Sequence, residues 1–401
     1  VAVGVSGGAD SVCLAYLLAG WGNPTAFIVD HGLRAGSAAE AATAQHLLAG
    51  FGVASCVLKL DGLMQGSALA ARARKARYAA LTSAARYAGY VDMLVGHHTS
   101  DQAETVLLRR QSGSGPAGLA GMAALSESHD IRLIRPLLGV PPGRLRATLR
   151  AAGLGWIDDP SNQSAAAQRN RLRMDLDDPA GTGARTASLA DAARQHGQTR
   201  AADDAETASF LANRVSIHPE GFAVLSPGRL PAPAMAALIR TISGGDHAPA
   251  TSSVARLAAS PMAAVLGGVR FLPAGRLGPG WLVVREAAAM APPVAAEPGA
   301  VWDNRFCLDA PPALPSGLSL ASLGADAVAL RDWSPLPSAV LRALPALRRH
   351  GVLAAVPHIG YLHPDILACV VAASFIPSHP LAGAPFGMAG RGCEAAGAAP
   401  C

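Results

Sequence analysis

The stretch Val1–Leu18, VAVGVSGGADSVCLAYLL, decides the fold. Val1, Val3 and Val5 alternate with small residues, the period-two pattern of a buried strand. Ser6-Gly7-Gly8-Ala9-Asp10-Ser11 follows, and Val12, Leu14, Ala15, Leu17 and Leu18 then fall at helical spacing. A strand, a turn with paired glycines and a helix start make an anion cradle. Gly7 and Gly8 admit backbone shapes closed to residues with a Cβ, so several N–H groups can converge. The helix start adds N–H donors without helical partners and a partial positive charge. Ser6 and Ser11 can add hydroxyl donors, and Asp10 suits a metal ion that accompanies phosphate. The spelling is neither GxxxxGK[ST] nor GxGxxG. A glycine-rich turn capped by Ser or Asp, with no ligand, is the alternative. The number of specified positions in one strand-to-helix context weighs against it.

Outward from this loop the first part of the chain alternates strands and helices. Thr25–Val29 reads as a second strand that ends in Asp30-His31-Gly32-Leu33-Arg34. An acidic residue there either faces the ligand crevice of an open α/β sheet or serves the turn, and Asp30 fits both. Ala38–Gly50 reads as a helix, Ala54–Leu60 as a third strand, and Ser67–Tyr87 as a long helix stopped at Gly89. Arg74 and Arg77 share a face of that helix. A guanidinium pair suits phosphate, and a solvated basic face is the plainer alternative. Val91–Gly96 reads as a fourth strand and leads into His97-His98-Thr99-Ser100-Asp101-Gln102-Ala103-Glu104-Thr105. Asp101 and Glu104 then lie on one face of a first helical turn, at the same sheet edge as the Ser-Gly-Gly loop. They can hold Mg²⁺ or an ammonium group, and a histidine can move a proton. They also spell an N-cap with its capping box. Gly113–Gly115 breaks that helix, and Ile131–Leu138 reads as a fifth strand. Gly143–Ala152 reads as a helix, and Arg169-Asn170-Arg171-Leu172-Arg173 is a dense basic cluster that can grip a nucleic-acid backbone. The expected fold is therefore α/β, a parallel five-stranded sheet with helices on both faces.

Composition sets wider bounds. The 401 residues suffice for two or three domains. Aromatic residues are 4%, so the cores are expected to be aliphatic. Lys59 and Lys75 are the lysines, and the other basic residues are Arg. The formal charge of +5 permits a polyanionic partner without requiring one. Cys13, Cys56, Cys307, Cys369, Cys393 and Cys401 are scattered, with no CxxC spacing, which reads as free thiols in a cytoplasmic protein without a zinc or iron–sulfur site. No membrane-spanning run and no signal peptide is expected. The chain opens on Val rather than Met, so a targeting segment ahead of it stays open.

The Ser6–Ser11 spelling after an apolar strand resembles the pyrophosphate loop of the N-type ATP pyrophosphatases, the adenine-nucleotide α-hydrolase-like fold. The boxes Asp30–Arg34, Arg74–Tyr78, His97–Thr105, Gly113–Gly115 with Gly118–Met122, Arg135–Leu138, Trp156–Asn162 and Arg169–Arg173 follow in order. Together they resemble the tRNA(Ile)-lysidine synthetase family over roughly the first 175 residues; order and spacing make the match specific. The resemblance implies a ligase that joins L-lysine to the wobble cytidine of tRNA(Ile) with a CAU anticodon. ATP adenylates the base, the lysine amine displaces AMP, and pyrophosphate is released. It implies ATP binding at Ser6, Gly7, Gly8, Ala9, Asp10 and Ser11, with Asp10 near Mg²⁺. Catalytic positions would be Asp10, Arg77, His97, Asp101 and Glu104. Asp30, His31 and Arg74 would lie by nucleotide or substrate, and Arg169, Arg171 and Arg173 would meet tRNA. A homodimer stays open. The chain departs from the family at Ser100, where a second Asp is usual, and at Ser112, where Arg is usual.

The expected organisation is a catalytic domain over 1–180, a helical region over 184–260, a mixed strand-containing region over 261–376 and a disordered tail over 377–401. Val265–Leu272 and Trp281–Glu286 read as a hairpin, and Val301–Leu308 as a further strand. Two other functions remain: a tRNA thiolase of the same superfamily, which needs cysteines to carry sulfur, and an inactive nucleotide- or RNA-binding relative, kept alive by Ser100 and Ser112.

Overall fold

The computed structural model describes residues 1–32, 36–60, 69–128, 131–158, 168–245, 247, 249–312, 314–364, 369, 371–383 and 386–387. Leu33 and Arg34, Ser67, Asp159–Asn162 and most of the expected tail lie outside them. The chain divides into two units, one of Val1–Asp203 with Phe386 and Gly387, the other of Asp204–Gly383.

The first unit is built on strands β1 (Ala2–Val5), β2 (Thr25–Asp30), β3 (Ala54–Lys59), β4 (Asp92–Val95), β5 (Leu125–Glu127) and β6 (Arg132–Ile134). They form one six-stranded sheet in the order β3-β2-β1-β4-β6-β5. All neighbours pair in parallel except β5, which runs antiparallel to β6 with Leu125 opposite Ile134. The sheet thus has six strands, where five were expected. The extra one, Leu-Ser-Glu, is short and has a single apolar residue. It lies at the sheet edge, where one neighbour suffices and alternation is not enforced. β6 is also shorter than Ile131–Leu138, because Pro136 has no N–H to continue a ladder.

Helices α1 (Ala9–Ala19), α2 (Ser37–Ala49), α3 (Leu69–Tyr87), α4 (Thr99–Gln111), α5 (Pro116–Leu119), α6 (Pro142–Ala151), α7 (Gln168–Leu176) and α8 (Ala184–Arg214) complete the unit, α8 running on past Asp203. On one face of the sheet Val3, Val5 and Ile28 pack with Val12, Leu48, Leu145 and Leu149 of α1, α2 and α6. On the other, Ala2, Phe27 and Met93 pack with Leu81 and Ala85 of α3. β1, central and covered on both faces, is apolar throughout, as a buried parallel strand must be. The chain crosses from β4 towards α4 at Gly96, where a Cβ would sit 3.0 Å from the Asp10 carbonyl and the Ser11 nitrogen. That contact sets the end of β4 against the first turn of α1.

The second unit is mixed. β7 (Val215–His218), β8 (Phe222–Leu225), β9 (Ala264–Leu266), β10 (Val269–Pro273) and β11 (Trp281–Arg285) form a five-stranded sheet in the order β7-β8-β11-β10-β9. α9 (Ala232–Ser243) and α10 (Thr251–Ala259) share a core with it through Met235, Leu238, Ile239, Leu257 and Phe271. The stretch 184–260, read as helical, thus also holds the β7–β8 hairpin. Val301–Leu308, expected as one strand, is two: β13 (Val301–Trp302) and β14 (Phe306–Asp309), following β12 (Val294–Ala295). Asp303 and Asn304 turn the chain between β13 and β14 with φ of 54° and 52°, the left-handed pair that a tight hairpin requires. β15 (Leu318–Ser322), α11 (Ser338–Ala343), β16 (Pro345–Arg349), β17 (Val352–Val356), β18 (Tyr361–Leu362) and β19 (Ala372–Phe375) finish the unit. β12, β15, β16, β17 and β18 make a second five-stranded sheet, and β13, β14 and β19 a three-stranded one. Among the described residues no helix is long and apolar enough to cross a membrane.

Candidate active site

The loop Ser6–Ser11 is held open by its own bonds. The Ser6 N–H donates to Ser11 Oγ at 3.1 Å, and the Ser11 hydroxyl donates to the Gly8 carbonyl at 3.0 Å. Ser11 is thereby spent on shaping the turn. Gly7 has φ of +85°, and a Cβ there would lie 2.6 Å from Ile157 Cδ1. The Ile157 N–H donates to the Gly7 carbonyl at 2.9 Å, so the segment after α6 straps the loop from outside. Gly8 is the N-cap of α1 and supplies no side-chain cap. Helix geometry gives the first-turn N–H groups of α1 no partner within the helix, which suits them to an anion.

A cleft of about 280 Å³ opens beside this loop, near the lower end of the range for small-molecule sites. Ser6, Gly8, Asp10 and Ser11 line it from the loop, His31 and Ser37 from the end of β2 and start of α2, Arg77 and Tyr78 from α3, and Gly96 and His97 from the end of β4. Its floor is apolar, with Val5, Ile28 and Val95. Asp30 does not line it. Its Oδ1 accepts bonds from the Ser37 hydroxyl at 2.6 Å and the Gly32 N–H at 3.1 Å. These donors hold its carboxyl below the usual range. Arg74 lies outside the lining set on the exposed side of α3, its guanidinium 5.0 Å from the Tyr78 ring centre. The Arg77 guanidinium is 5.6 Å from that ring, and burial, with Arg74 nearby, lowers its pKa.

His97 is strongly altered by its surroundings. Burial pushes its pKa down to about 4; the Asp101 charge opposes this, and Arg135, Arg74 and Arg77 reinforce it. The imidazole is neutral at physiological pH. Its Nε2 stands 3.5 Å from the Tyr78 hydroxyl, and its Nδ1 has no hydrogen-bond partner among the described residues.

The acidic groups gather around His98, which the sequence reading named beside His97 without giving it a site role of its own. His98 Nε2 lies 3.4 Å from Asp10 Oδ2 and 3.5 Å from Asp101 Oδ2. Burial alone would lower this imidazole, but Asp10 and Asp101 outweigh it and raise its pKa. His98, not Asp101, is the N-cap of α4: its N–H donates to Asp101 Oδ2 at 3.0 Å. Asp101 thus serves the capping box and the cluster together. Glu104 is not its capping partner. It is completely buried, and its Oε1 accepts from Arg173 Nε at 2.8 Å. Arg173 also lies 3.7 Å from Asp101 Oδ1. Burial pushes Glu104 up, against the pull of Arg173. Asp10 Oδ1 and Glu104 Oε2 are buried and have no hydrogen-bond partner among the described residues.

Of the basic cluster on α7, Arg173 turns inward to these carboxylates, Arg169 NH2 reaches Thr105 Oγ1 at 3.5 Å, and Arg171 is exposed. The sequence reading also missed how α4 holds the loop after it. Gln102 donates to the Met122 carbonyl at 2.9 Å and accepts from the Met122 N–H at 2.7 Å, while Arg109 donates to the Gly118 and Gly121 carbonyls. Ser112 accepts none of that work; its hydroxyl donates to the Leu108 carbonyl at 2.9 Å. The Ser100 hydroxyl is buried, without a hydrogen-bond partner among the described residues.

With an anion cradle, an apolar floor and Asp10 in the cleft wall, and with Asp101 and Glu104 outside its lining but near by through His98 and Arg173, the site has the form of a nucleotide-activating centre. Residues 1–178 match the PP-loop domain family. The chain is 34% identical over 378 residues to the tRNA(Ile)-lysidine synthase of Ruegeria pomeroyi, covering 89% of this chain and 88% of that protein. The chain belongs to the tRNA(Ile)-lysidine synthase family. A second relative of that name, from Bradyrhizobium diazoefficiens, is 42% identical over 205 residues, a match that spans 49% of this chain and 57% of the relative's length. A third, from Mesorhizobium japonicum, is 34% identical over 371 residues, 84% of this chain and 79% of that one. Among solved structures, a U34-tRNA thiolase from Methanococcus maripaludis superposes with a TM-score of 0.41 at 17% identity, covering 48% of this chain and 70% of that one, a likeness too slight to bear on function. The lysidine synthase family has the PP-loop fold seen here, a parallel sheet between helices, followed in this member by a mixed α/β region.

Proposed function

We infer that the protein is an ATP-dependent ligase that joins L-lysine to the wobble cytidine of tRNA(Ile) bearing the CAU anticodon. It forms lysidine through an adenylated cytidine and releases pyrophosphate and AMP. The observation that carries this is the cleft in which the Ser6–Ser11 loop, Arg77 and His97 converge, in a chain that matches a lysidine synthase along most of its length.

The division of labour follows from chemistry. Backbone N–H groups ahead of α1 receive the phosphate tail of ATP, which the cleft floor of Val5, Ile28 and Val95 positions. Adenylation puts negative charge on the phosphorus oxygens, and Arg77, fixed beside Tyr78, is placed to steady it. Asp10 would hold Mg²⁺: its Oδ1 is a buried oxygen without a partner, the hard donor such a cation takes. When bound, the cation would neutralise charge on the phosphate oxygens. Asp101 and Glu104 would orient the lysine ammonium, and Glu104, its pKa raised by burial, would take the first proton to free the amine lone pair. His97, neutral and next to the cleft, would accept the proton the amine loses as the C–N bond forms, and phosphate charge beside it would lift its basicity. Arg169 and Arg171 would meet the tRNA backbone.

A thiolase needs a sulfur carrier at the cleft. Among the described residues no cysteine lines it; Cys13 is buried within the core, where burial pushes its thiol up to about 11, and Cys56 is on β3. The deciding experiment gives purified protein ATP, Mg²⁺, radiolabelled lysine and a tRNA(Ile) transcript with CAU. Label is expected in the tRNA, and none with a tRNA(Ile) carrying GAU. Lysine-independent sulfur transfer, or ATP turnover without label, would point to another activity.

A further inference from the structure

Glu104 presents a fully buried carboxylate, and the cation that meets it comes from the protein itself. Arg173 reaches it from α7 with a side chain that is 42% exposed, so the guanidinium stands between solvent and the acid. It covers one oxygen of Glu104, at 2.8 Å, and approaches one of Asp101, at 3.7 Å. The other Glu104 oxygen is buried and without a partner among the described residues. A buried carboxylate needs a counter-ion with N–H donors, and an arginine fork or a primary ammonium each meets that need. Two cations held on one carboxylate repel each other, the more strongly where water is excluded.

We propose that Arg173 is an internal competitor for the amine site: its guanidinium holds the Asp101–Glu104 pair that the lysine ammonium takes, and so sets the affinity for lysine. This rests on the reading of that pair as the lysine subsite. Arg173 can yield because half its side chain already faces solvent, and it belongs to a helix whose neighbouring Arg171 is exposed. The displaced guanidinium remains hydrated, whereas an acid stripped of any cation would not. Substrate is favoured because it supplies an ammonium together with binding energy from the rest of the amino acid. The arginine therefore lowers the affinity of every amine alike, and a small free amine, which brings nothing but its ammonium, falls below useful binding before lysine does.

The test compares wild type with Arg173→Gln and Arg173→Lys by equilibrium dialysis of radiolabelled lysine in the presence of ATP, and by lysine KM in tRNA labelling. Arg173→Gln is expected to tighten lysine binding and lower its KM by about fivefold, with ATP KM unchanged. Arg173→Lys, which keeps the charge and loses the fork, should fall between the two. Methylamine should inhibit the Gln variant more strongly than wild type. Lysine binding that is weaker or unaltered in Arg173→Gln overturns the proposal. Should that variant not fold, a lysine affinity in Arg173→Lys at or below wild type does the same. Wild type that neither binds nor transfers lysine fails the functional reading itself, and the competitor role with it.

Discussion

Each unit of the chain buries a cluster of opposed charges, and the two are built to different ends. In the second unit Asp303 meets both Arg285 and Arg305. Its Oδ1 accepts from Arg285 NH2 at 3.0 Å and the Ala291 N–H at 2.9 Å, and its Oδ2 from Arg285 Nε at 3.0 Å and Arg305 Nε at 2.8 Å. Arg305 is completely buried and also donates to the Gly221 carbonyl, so the cluster ties the β13–β14 turn to β11 and to the β7–β8 turn. Every carboxylate oxygen is used. In the first unit Asp10 and Glu104 each keep a buried oxygen without a partner among the described residues, and the cation that serves Glu104 is half exposed. A cluster whose acid is met at both oxygens fixes the fold. One left short of donors stores the capacity to bind.

Breaking each cluster should therefore cost different things. Asp10→Ala should lower lysine transfer by about three orders of magnitude, read as initial rate, with the thermal transition nearly unmoved. Near-wild-type rates would remove Asp10 from the chemistry. Asp303→Ala leaves two arginines without their acid and should destabilise the second unit by about 3–5 kcal/mol, measured by denaturant unfolding. A loss below about 1 kcal/mol would mean that the cluster is not a structural pin. Gly7→Ala puts a Cβ at φ +85° and against Ile157, whose terminal methyl can give way. The backbone strain should weaken ATP binding about tenfold in a calorimetric titration; unchanged affinity would dissociate the loop from phosphate.

The smallest effect concerns pH. His97 has its pKa lowered from 6.5 to about 4 by burial. The unfolded chain then takes up a proton that the folded one refuses. Its contribution is complete above pH 6.5 and is lost as pH falls from there towards 4. His98, raised, acts in the opposite sense, so the comparison must be of wild type with His97→Gln, in which His98 is common to both. The variant should show a flatter loss of stability over that interval. Parallel curves would place His97 in contact with water.

Much of this was legible because it is written in backbone requirements. Ser-Gly-Gly-Ala-Asp-Ser after Val-Ala-Val-Gly-Val specifies a turn whose conformation few other sequences permit, and the alternation of apolar strands with helices then dictates a parallel sheet. The reading fell short where partners are remote in sequence. β5 has too little apolar content to register as a strand until β6 lies beside it. Asp303-Asn304-Arg305 interrupts Val301–Leu308 with three polar residues, a turn signal that the single-strand reading did not use. Spacing put Asp101 and Glu104 on one face correctly, but not that His98 caps their helix. Nor did it show that Arg173, one of three similar arginines, turns inward while Arg171 faces out. The paired partners are 69 residues apart in the chain, and only the fold brings them together.

In the proposed reaction the phosphate-holding loop serves to convert the wobble base oxygen into a leaving group. This step is tested most directly by incubating the protein with ATP labelled at the α-phosphorus and tRNA(Ile) with CAU, without lysine. The account predicts label bound to the tRNA as AMP, released as free AMP once lysine is added. ATP cleaved between its β and γ phosphates, with no label on the tRNA at any time, would contradict it.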